Sequence, residues 1–242
     1  MASELKKFAV FDIDGTLIRW QLYHAVADEL ARRGRFGAIE YEAVRQARMT
    51  WKKRKSEDSF KEYERALVNL VDQAISGVNV QEWQDACQTV IEEYKEQVYT
   101  YTRDLLVRLR RENYLLFAIS ASEKSVVKLL AEHYGFTDFA ASTYEVVNGK
   151  FTGTKDILRR ERKPEALTQL ANKYRATYTG SVAVGDSEND IPMLEAVEQP
   201  IAFNPTKLLF EHAKTQGWQI ILERKNVVYK LGIENDKYQL QN

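Results

Sequence analysis

The sequence predicts an α/β fold with a mainly parallel, three-layered sheet and one long helical insertion. Three apolar runs have the character of buried strands, and each of them stops at polar residues: Phe8–Phe11, Leu115–Ile119 and Ser181–Val184. Helical periods separate the later runs, and strands that alternate with helices form parallel sheets. Such sheets carry their chemistry at the carboxyl ends of the strands, so we expect a functional site there.

The remaining elements of the predicted core are three helices and a hairpin. The helical periods cover Arg103–Arg111, Lys124–His133 and Pro164–Tyr174. Gly135 follows the second period, where a glycine commonly ends a helix, and Pro164 suits the first turn of the third. Asn148-Gly149 lies between β-prone flanks and predicts a tight hairpin turn within Tyr144–Thr152. We therefore expect a short antiparallel excursion from the parallel sheet.

Residues 18–99, called the helical insertion below, show helical periodicity and no clear strand signal. The periods cover His24–Arg33, Tyr41–Lys53, Ser59–Ile75 and Gln81–Tyr94. Because the insertion follows the first strand directly, we expect it to lie above the carboxyl end of that strand as a lid. The predicted division is a catalytic core of residues 1–17 and 100–242 and a helical cap domain of residues 18–99.

Composition excludes several classes of protein. The chain has 242 residues, of which 44% are hydrophobic and 29% charged, which suits one or two compact domains. Thirty-five basic residues balance 35 acidic ones, so we expect neither a nucleic-acid nor a membrane partner. Cys87 is the single cysteine, and the first ten residues lack the apolar run of a signal peptide. We expect a reducing, cytoplasmic location and a structural role for Cys87.

The first strand ends in two closely spaced carboxylates, Asp12 and Asp14, followed by Gly15. Paired carboxylates at a buried strand end are costly unless a cation neutralises them, and Mg²⁺ with oxygen ligands is the usual solution. The same residues could also be a strand that enters a turn, with Asp and Gly supplying the turn chemistry. Both interpretations remain open at this point.

A second acidic cluster, Gly185–Asp190, follows the third strand and could supply the remaining metal ligands. Asp186 or Ser187 could instead cap a helix, and Ser120 could cap the helix that begins near Ser122. Lys163 could be one member of the basic run 159–163. For each residue taken singly, these simpler interpretations are favoured.

Taken together, four segments resemble the haloacid dehalogenase superfamily, in its phosphoserine-phosphatase-like branch (subfamily IB). They are Phe11–Leu17, Ile119–Ser122, Lys163 with Leu167, and Gly185–Leu194, in the order that the family has. Gly135–Gly153 also resembles the hairpin region of that branch. The resemblance implies a three-layer, Rossmann-like core with an inserted all-helical, C1-type cap domain.

The resemblance also implies a mechanism. Asp12 would be the nucleophile that forms an aspartyl phosphate, and Asp14 would act as general acid and then as general base. Ser120 and Lys163 would hold the phosphoryl oxygens. Because Asp14 is present, the resemblance favours a phosphatase or a phosphomutase.

The cofactor that the resemblance implies is Mg²⁺. Its ligands would be the Asp12 carboxylate, the Asp14 backbone carbonyl and Asp186, with Asp190 supporting. The predicted function is therefore Mg²⁺-dependent hydrolysis of a small phosphorylated metabolite, a phosphate monoester. The alternatives are a phosphotransferase or phosphomutase on the same core, or a catalytically idle binding protein with this fold.

The helical insertion is expected to set the substrate. At the two positions where phosphoserine phosphatases resemble one another in binding the ammonium and carboxylate of their substrate, this chain has Gln21 and Leu67. We therefore expect phosphoserine to be a poor substrate. The insertion offers a basic set instead, Arg45, Arg48, Lys52, Lys53, Arg54 and Lys55, with Trp20, Tyr23 and Trp51. These residues could bind an anionic or aromatic leaving group, or they could form a solvated basic face over packed aromatic rings.

Overall fold

The computed structural model describes residues 5–54, 56, 58–225, 227–234 and 237–241. Residues 1–4 of the predicted catalytic core and Lys55 of the basic set lie outside the described residues. The described strands are β1 Lys7–Phe11, β2 Leu115–Glu123, β3 Asp138–Val147, β4 Lys150–Asp156, β5 Thr177–Gly185, β6 Gln199–Phe203, β7 Gln219–Arg224, β8 Val227–Glu234 and β9 Lys237–Gln241. They form one sheet in the order β4-β3-β2-β1-β5-β6-β7-β8-β9.

The centre of this sheet is parallel, as the sequence predicts. β3, β2, β1, β5, β6 and β7 pair in parallel, whereas β4, β8 and β9 are added antiparallel at the two edges. The β3–β4 hairpin confirms the predicted excursion. Its turn residues Asn148 and Gly149 have φ values of 50° and 73°. Positive φ at both central positions is what a type I′ turn requires, and Asn-Gly is its preferred sequence.

The described helices confirm the predicted periods to within a few residues and add two that were not predicted, α8 and α9. They are α1 Leu22–Arg32, α2 Ala38–Lys52, α3 Ser59–Ile75, α4 Val80–Tyr94, α5 Thr100–Arg111, α6 Lys124–Tyr134, α7 Lys163–Lys173, α8 Ile191–Glu195 and α9 Lys207–Gln216. α1 to α4 all lie in the helical insertion. Two short 3₁₀ turns, Arg160–Arg162 and Glu188–Asp190, precede α7 and α8.

Helices cover both faces of the sheet, which gives the three layers. In β1, Ala9 and Phe11 belong to one apolar cluster together with α1 to α6. Phe8 and Val10 point the other way into a second cluster with α7, α8 and α9. Burial on both faces explains why β1 is a continuous apolar run rather than an alternating one. The polar residues that follow the parallel strands lie at one edge of the sheet, beyond the apolar strand interiors.

The helical insertion is joined to the sheet by two chain segments that lie side by side. Ile18 and Val98 form an antiparallel bridge, and the Arg19 N–H donates to the Gln97 carbonyl at 2.9 Å. Buried Glu223, in β7, binds both segments. It accepts from Arg19 Nη2 at 2.5 Å and from the first two backbone N–H groups of α5, those of Thr100 and Tyr101, at 3.1 and 2.8 Å. One carboxylate therefore caps α5 and pairs with Arg19.

We expect Glu223→Ala to lower the free energy of unfolding by roughly 2–4 kcal/mol, because it leaves backbone donors of α5 without their acceptor. Arg19→Gln, which keeps the cap of α5, should cost less than about 1 kcal/mol because the Arg19 side chain is 42% exposed. Urea unfolding of both variants measures the difference. If both variants lost the same free energy of unfolding, the cap of α5 could not be the main contribution of Glu223 to stability.

Candidate active site

The loop after β1 brings Asp12 and Asp14 to the centre of the sheet edge. The Asp12 N–H donates to the Val184 carbonyl of β5 at 2.9 Å, so the strand pairing continues to the first carboxylate. Gly15 has a φ of 84°, and a Cβ added there would collide with the Asp186 carboxylate. The backbone conformation therefore favours glycine at position 15, and a larger residue there would have to displace the Asp186 carboxylate.

Lys163 lies between two carboxylates at this edge. Its Nζ is 2.8 Å from Asp12 Oδ1 and 2.5 Å from Asp190 Oδ1, and all three side chains are buried. Burial lowers the pKa of Lys163, but the charges of Asp12 and Asp190 outweigh this effect and raise it, so the ammonium stays charged. Lys163 is the first residue of α7, so this helix sets the position of its side chain. Lys163 is buried and is not one member of a solvated basic run.

Asp190 organises the second acidic loop. Its Oδ2 accepts the N–H groups of Asp186 and Ser187 at 3.1 and 3.0 Å and the Ser187 hydroxyl at 3.1 Å. Ser187 and Asp190 form a reciprocal capping box, so the capping interpretation of Ser187 is correct within the cluster. Because Lys163 takes the other oxygen, both oxygens of Asp190 are engaged.

Asp14 is turned toward β2 and α1. Its Oδ2 accepts the hydroxyls of Ser120 and Ser122, both at 2.8 Å, and its Oδ1 accepts the Leu22 N–H at 2.5 Å. The capping alternative for Ser120 is wrong, because α6 begins at Lys124 and its cap is the Glu123 side chain. Burial raises the pKa of Asp14 against the effect of these donors.

Oxygen atoms of Asp12, Asp186 and Asp190 lie within 4.8 Å of one another. Burial and the Asp190 charge raise the pKa of Asp12 to about 7, although Lys163 opposes this rise. Burial and Asp12 raise the pKa of Asp186, whose carboxylate has no hydrogen-bond donor among the described residues. The negative charge of the cluster thus exceeds what Lys163 compensates. Hard oxygen donors with uncompensated charge are a donor set that suits Mg²⁺.

The site residues predicted from the sequence therefore meet in one place. Asp12, Lys163 and Asp190 are linked directly, Asp186 lies beside them, and Ser120 is linked through Asp14. Two contacts at the site were not predicted from the sequence. The Thr16 hydroxyl donates to Asp12 Oδ2 at 3.1 Å, and the Ser122 hydroxyl donates to Asp14 Oδ2. Thr16 and Ser122 both lie inside the segments that resemble the family. Their polar side chains, close in sequence to Asp12 and Ser120, were the signal that could have identified them.

Residues 9–195 match the haloacid dehalogenase-like hydrolase family. The chain belongs to this family. The match runs from within β1 to the end of α8 and includes each of the predicted site residues.

Two curated relatives and one solved structure illustrate the similarity. The chain is 29% identical to phosphoserine phosphatase SerB2 of Mycobacterium tuberculosis over 96% of its own length and 52% of that protein. It is 23% identical to the histidinol-phosphatase of Neisseria meningitidis over 90% of its length and 99% of that protein. A structure of phosphoserine phosphatase with a phospho-aspartyl intermediate analogue shares the fold, with a TM-score of 0.61 and 21% identity over 92% and 95% of the two chains. The chain thus spans about half of the mycobacterial relative.

Two members of the basic set in the helical insertion, Arg48 and Arg45, form ion pairs with other residues. Arg48 pairs with Asp28 at 2.6 Å and donates to the Tyr63 hydroxyl, while Arg45 pairs with Glu42 on its own helix. Trp51 stacks on Tyr63 with ring centroids 5.7 Å apart. These contacts favour the alternative of a basic face over packed aromatic rings. Cys87 is fully buried in the same apolar cluster, where burial raises the pKa of its thiol.

Proposed function

We propose that the chain is a magnesium-dependent phosphatase that hydrolyses a small phosphate monoester through a phosphorylated Asp12. The observation that carries this proposal is the buried ammonium of Lys163 between Asp12 and Asp190, next to the uncompensated carboxylate of Asp186. The names of the mycobacterial and neisserial relatives support the reaction class.

Asp12 is held for attack in this mechanism. Lys163 and Thr16 each bind one of its oxygens, which fixes the plane of the carboxylate while leaving lone pairs for the phosphorus atom. Attack forms the Asp12–phosphorus bond and breaks the bond to the leaving alcohol. Lys163 stabilises the equatorial oxygens in the transition state. Asp12, Asp186 and the Asp14 backbone carbonyl would hold Mg²⁺, with Asp190 in support, and the ion would supply further charge compensation.

Asp14 moves the protons. Because burial raises its pKa, Asp14 retains a proton to higher pH and can give it to the leaving alcohol. The resulting carboxylate then takes a proton from the water that hydrolyses the aspartyl phosphate. Ser120 and Ser122 orient Asp14 through hydrogen bonds from their hydroxyls. Ser120 would also bind a phosphoryl oxygen when it releases Asp14.

Residues 18–99 act as a cap domain in this proposal, with residues 1–17 and 100–242 as the core. Closure over the leaving group would exclude water from the reaction, as lids do in other enzymes. A cytoplasmic location remains a prediction. Among the described residues, no helix combines the length and apolar character needed to cross a membrane.

Chelation with EDTA should abolish phosphate release, Mg²⁺ should restore it, and Ca²⁺ should not. Ca²⁺ accepts more oxygen ligands at longer distances, so Asp12 could chelate it instead of attacking phosphorus. The measurement is phosphate release from an aryl phosphate before and after metal addition, with circular dichroism to verify that the chelated protein stays folded. Full activity after exhaustive chelation would rule out the metal requirement.

A phosphotransferase is the second candidate, because the Asp14 carboxylate can take a proton from an acceptor alcohol as well as from water. An added alcohol or sugar acceptor separates the two activities. A transferase should form the new ester faster than it releases inorganic phosphate, whereas a phosphatase should release phosphate at the same rate with and without the acceptor.

A further inference from the structure

Thr102, in the first turn of α5, is a buried polar residue that the proposed mechanism does not use. Its hydroxyl donates to the backbone carbonyl of Thr16 at 2.9 Å, and the hydroxyl of Thr16 donates to Asp12 Oδ2 at 3.1 Å. Thr16 and Thr102 are both fully buried. A chain of two hydrogen bonds therefore runs from α5 through Thr16 to the proposed nucleophile.

The Thr102 hydroxyl also has an acceptor within its own chain segment, the carbonyl of Tyr99. That carbonyl lies 3.4 Å from Thr102 Oγ1, which is long for a hydroxyl donor. A hydroxyl has one hydrogen atom, so the closer carbonyl of Thr16 is the favoured acceptor. A threonine that serves only its own helix bonds back to a carbonyl of the preceding turn, whereas Thr102 bonds to a residue 86 positions away.

The start of α5 is fixed by further contacts. Buried Glu223 accepts the first two backbone N–H groups of the helix. Just before the helix, the Tyr99 N–H donates to the Leu17 carbonyl at 3.0 Å. Together with Thr102, this N–H binds two successive carbonyls of the loop that follows β1, those of Thr16 and Leu17. The loop is thus held against a helix end whose own position is fixed.

The orientation of the Asp12 carboxylate depends on the donors to its two oxygens. Lys163 Nζ lies 2.8 Å from Oδ1, and the Thr16 hydroxyl donates to Oδ2. The torsion that rotates an aspartate carboxylate is broad, so a carboxylate held at one oxygen alone samples more orientations. In-line attack on phosphorus requires one of them, and small misplacements of a reacting group are costly in rate.

Building on the proposed phosphatase function, we propose that Thr102 is a positioning residue for the reaction. By binding the Thr16 carbonyl, it keeps the Thr16 hydroxyl on Asp12 Oδ2 and so keeps the nucleophile in line with phosphorus. Because Thr102 acts through Thr16 and not on the substrate, its loss should slow the formation of the aspartyl phosphate without weakening the binding of phosphate.

Single substitutions at Thr102 give the first test, with phenyl phosphate as substrate and Mg²⁺ present. Thr102→Val should lower kcat/KM about tenfold, the factor expected for one hydrogen bond, and change the inhibition constant of inorganic phosphate by less than about twofold. Thr102→Ser keeps the donor and should restore kcat/KM to within about twofold of the wild type. Thr215→Val is the control, because the Thr215 hydroxyl donates to the Glu211 carbonyl within α9 at 2.9 Å. It should keep the wild-type kcat/KM.

A double-mutant cycle separates positioning from a purely structural role. Thr16→Val removes the hydroxyl that reaches Asp12 but keeps the carbonyl that Thr102 binds. Adding Thr102→Val to Thr16→Val should therefore change kcat/KM by less than about twofold, whereas urea unfolding should still show a further loss of stability. An unchanged kcat/KM in Thr102→Val, no recovery in Thr102→Ser, or a further tenfold loss in the double variant would overturn the proposal.

Crystal structures of the wild type and Thr102→Val test the same role without any activity measurement. The hydrogen bond between Thr16 Oγ1 and Asp12 Oδ2 should be present in the wild type and lost in the variant. If the wild type releases no phosphate even from phenyl phosphate, the phosphatase function fails separately and these structures decide. An Asp12 carboxylate in the same orientation in both would then overturn the role of Thr102. Thr102→Ala replaces Thr102→Val throughout if the valine variant does not stay folded.

Discussion

Asp12→Asn should lower kcat by at least about a thousandfold, because an amide cannot replace the carboxylate as nucleophile toward phosphorus. The fold should persist. The raised pKa of Asp12 means that its charge already costs free energy in this environment. A neutral side chain of nearly the same shape removes repulsion with Asp190, which offsets the loss of the ion pair with Lys163. We therefore expect the free energy of unfolding to change by less than about 1 kcal/mol.

The measurements are steady-state phosphate release and urea unfolding. Asp138→Asn is the control, because Asp138 also pairs with a lysine, Lys173, but lies at the amino end of β3, whereas Asp12 follows the carboxyl end of the parallel strand β1. It should keep full activity. Rapid turnover by Asp12→Asn, with deamidation excluded by mass spectrometry, would contradict the assignment of the nucleophile.

The convergence of the site could be predicted because each of its segments follows a strand of one parallel sheet. Asp12 follows β1, Asp186 follows β5, and the carboxyl ends of parallel strands meet at one edge. Local periodicity was sufficient to find β1, β2 and the inner half of β5. It was also sufficient for α1 to α7, because their apolar stripes are long and regular.

Other parts of the sheet could not be predicted in the same way. β6 has five residues and contains Pro200, so its pattern is too short to indicate a strand. The first half of β3 pairs in parallel with β2 before the hairpin begins, a pairing that depends on contacts distant in sequence. The amino-terminal part of β5 is polar and partly exposed, so only the apolar half gave a strand signal.

Several polar contacts also depend on the tertiary structure. Whether Ser120 or Glu123 caps α6 is decided by where the β2 backbone turns, which the sequence does not indicate. Glu223 is about 200 residues from the Arg19 with which it pairs.

Lys163→Met should have a large effect on both stability and activity. It leaves Asp12 and Asp190 facing each other in the protein interior without the cation that bridges them. Removing one partner of a buried ion pair typically costs about 3–5 kcal/mol, and the side chain of Lys163 is only 4% exposed, so solvent screening is small. Loss of the donor to the phosphoryl oxygens should lower kcat by a further factor of about 10²–10³.

A second substitution separates these two effects. In Lys163→Met/Asp190→Asn one of the unpaired carboxylates is gone, so part of the lost stability should return, whereas activity should not. Lys163→Arg keeps the charge but brings a larger, planar group, so it should lose less stability than Lys163→Met while remaining impaired in turnover. Urea unfolding in the presence of EDTA and phosphate release with Mg²⁺ give the two readouts. If Lys163→Met matched the wild type in both, the ammonium between Asp12 and Asp190 could not have the role assigned to it here, because neither the buried charges nor the phosphoryl group would depend on it.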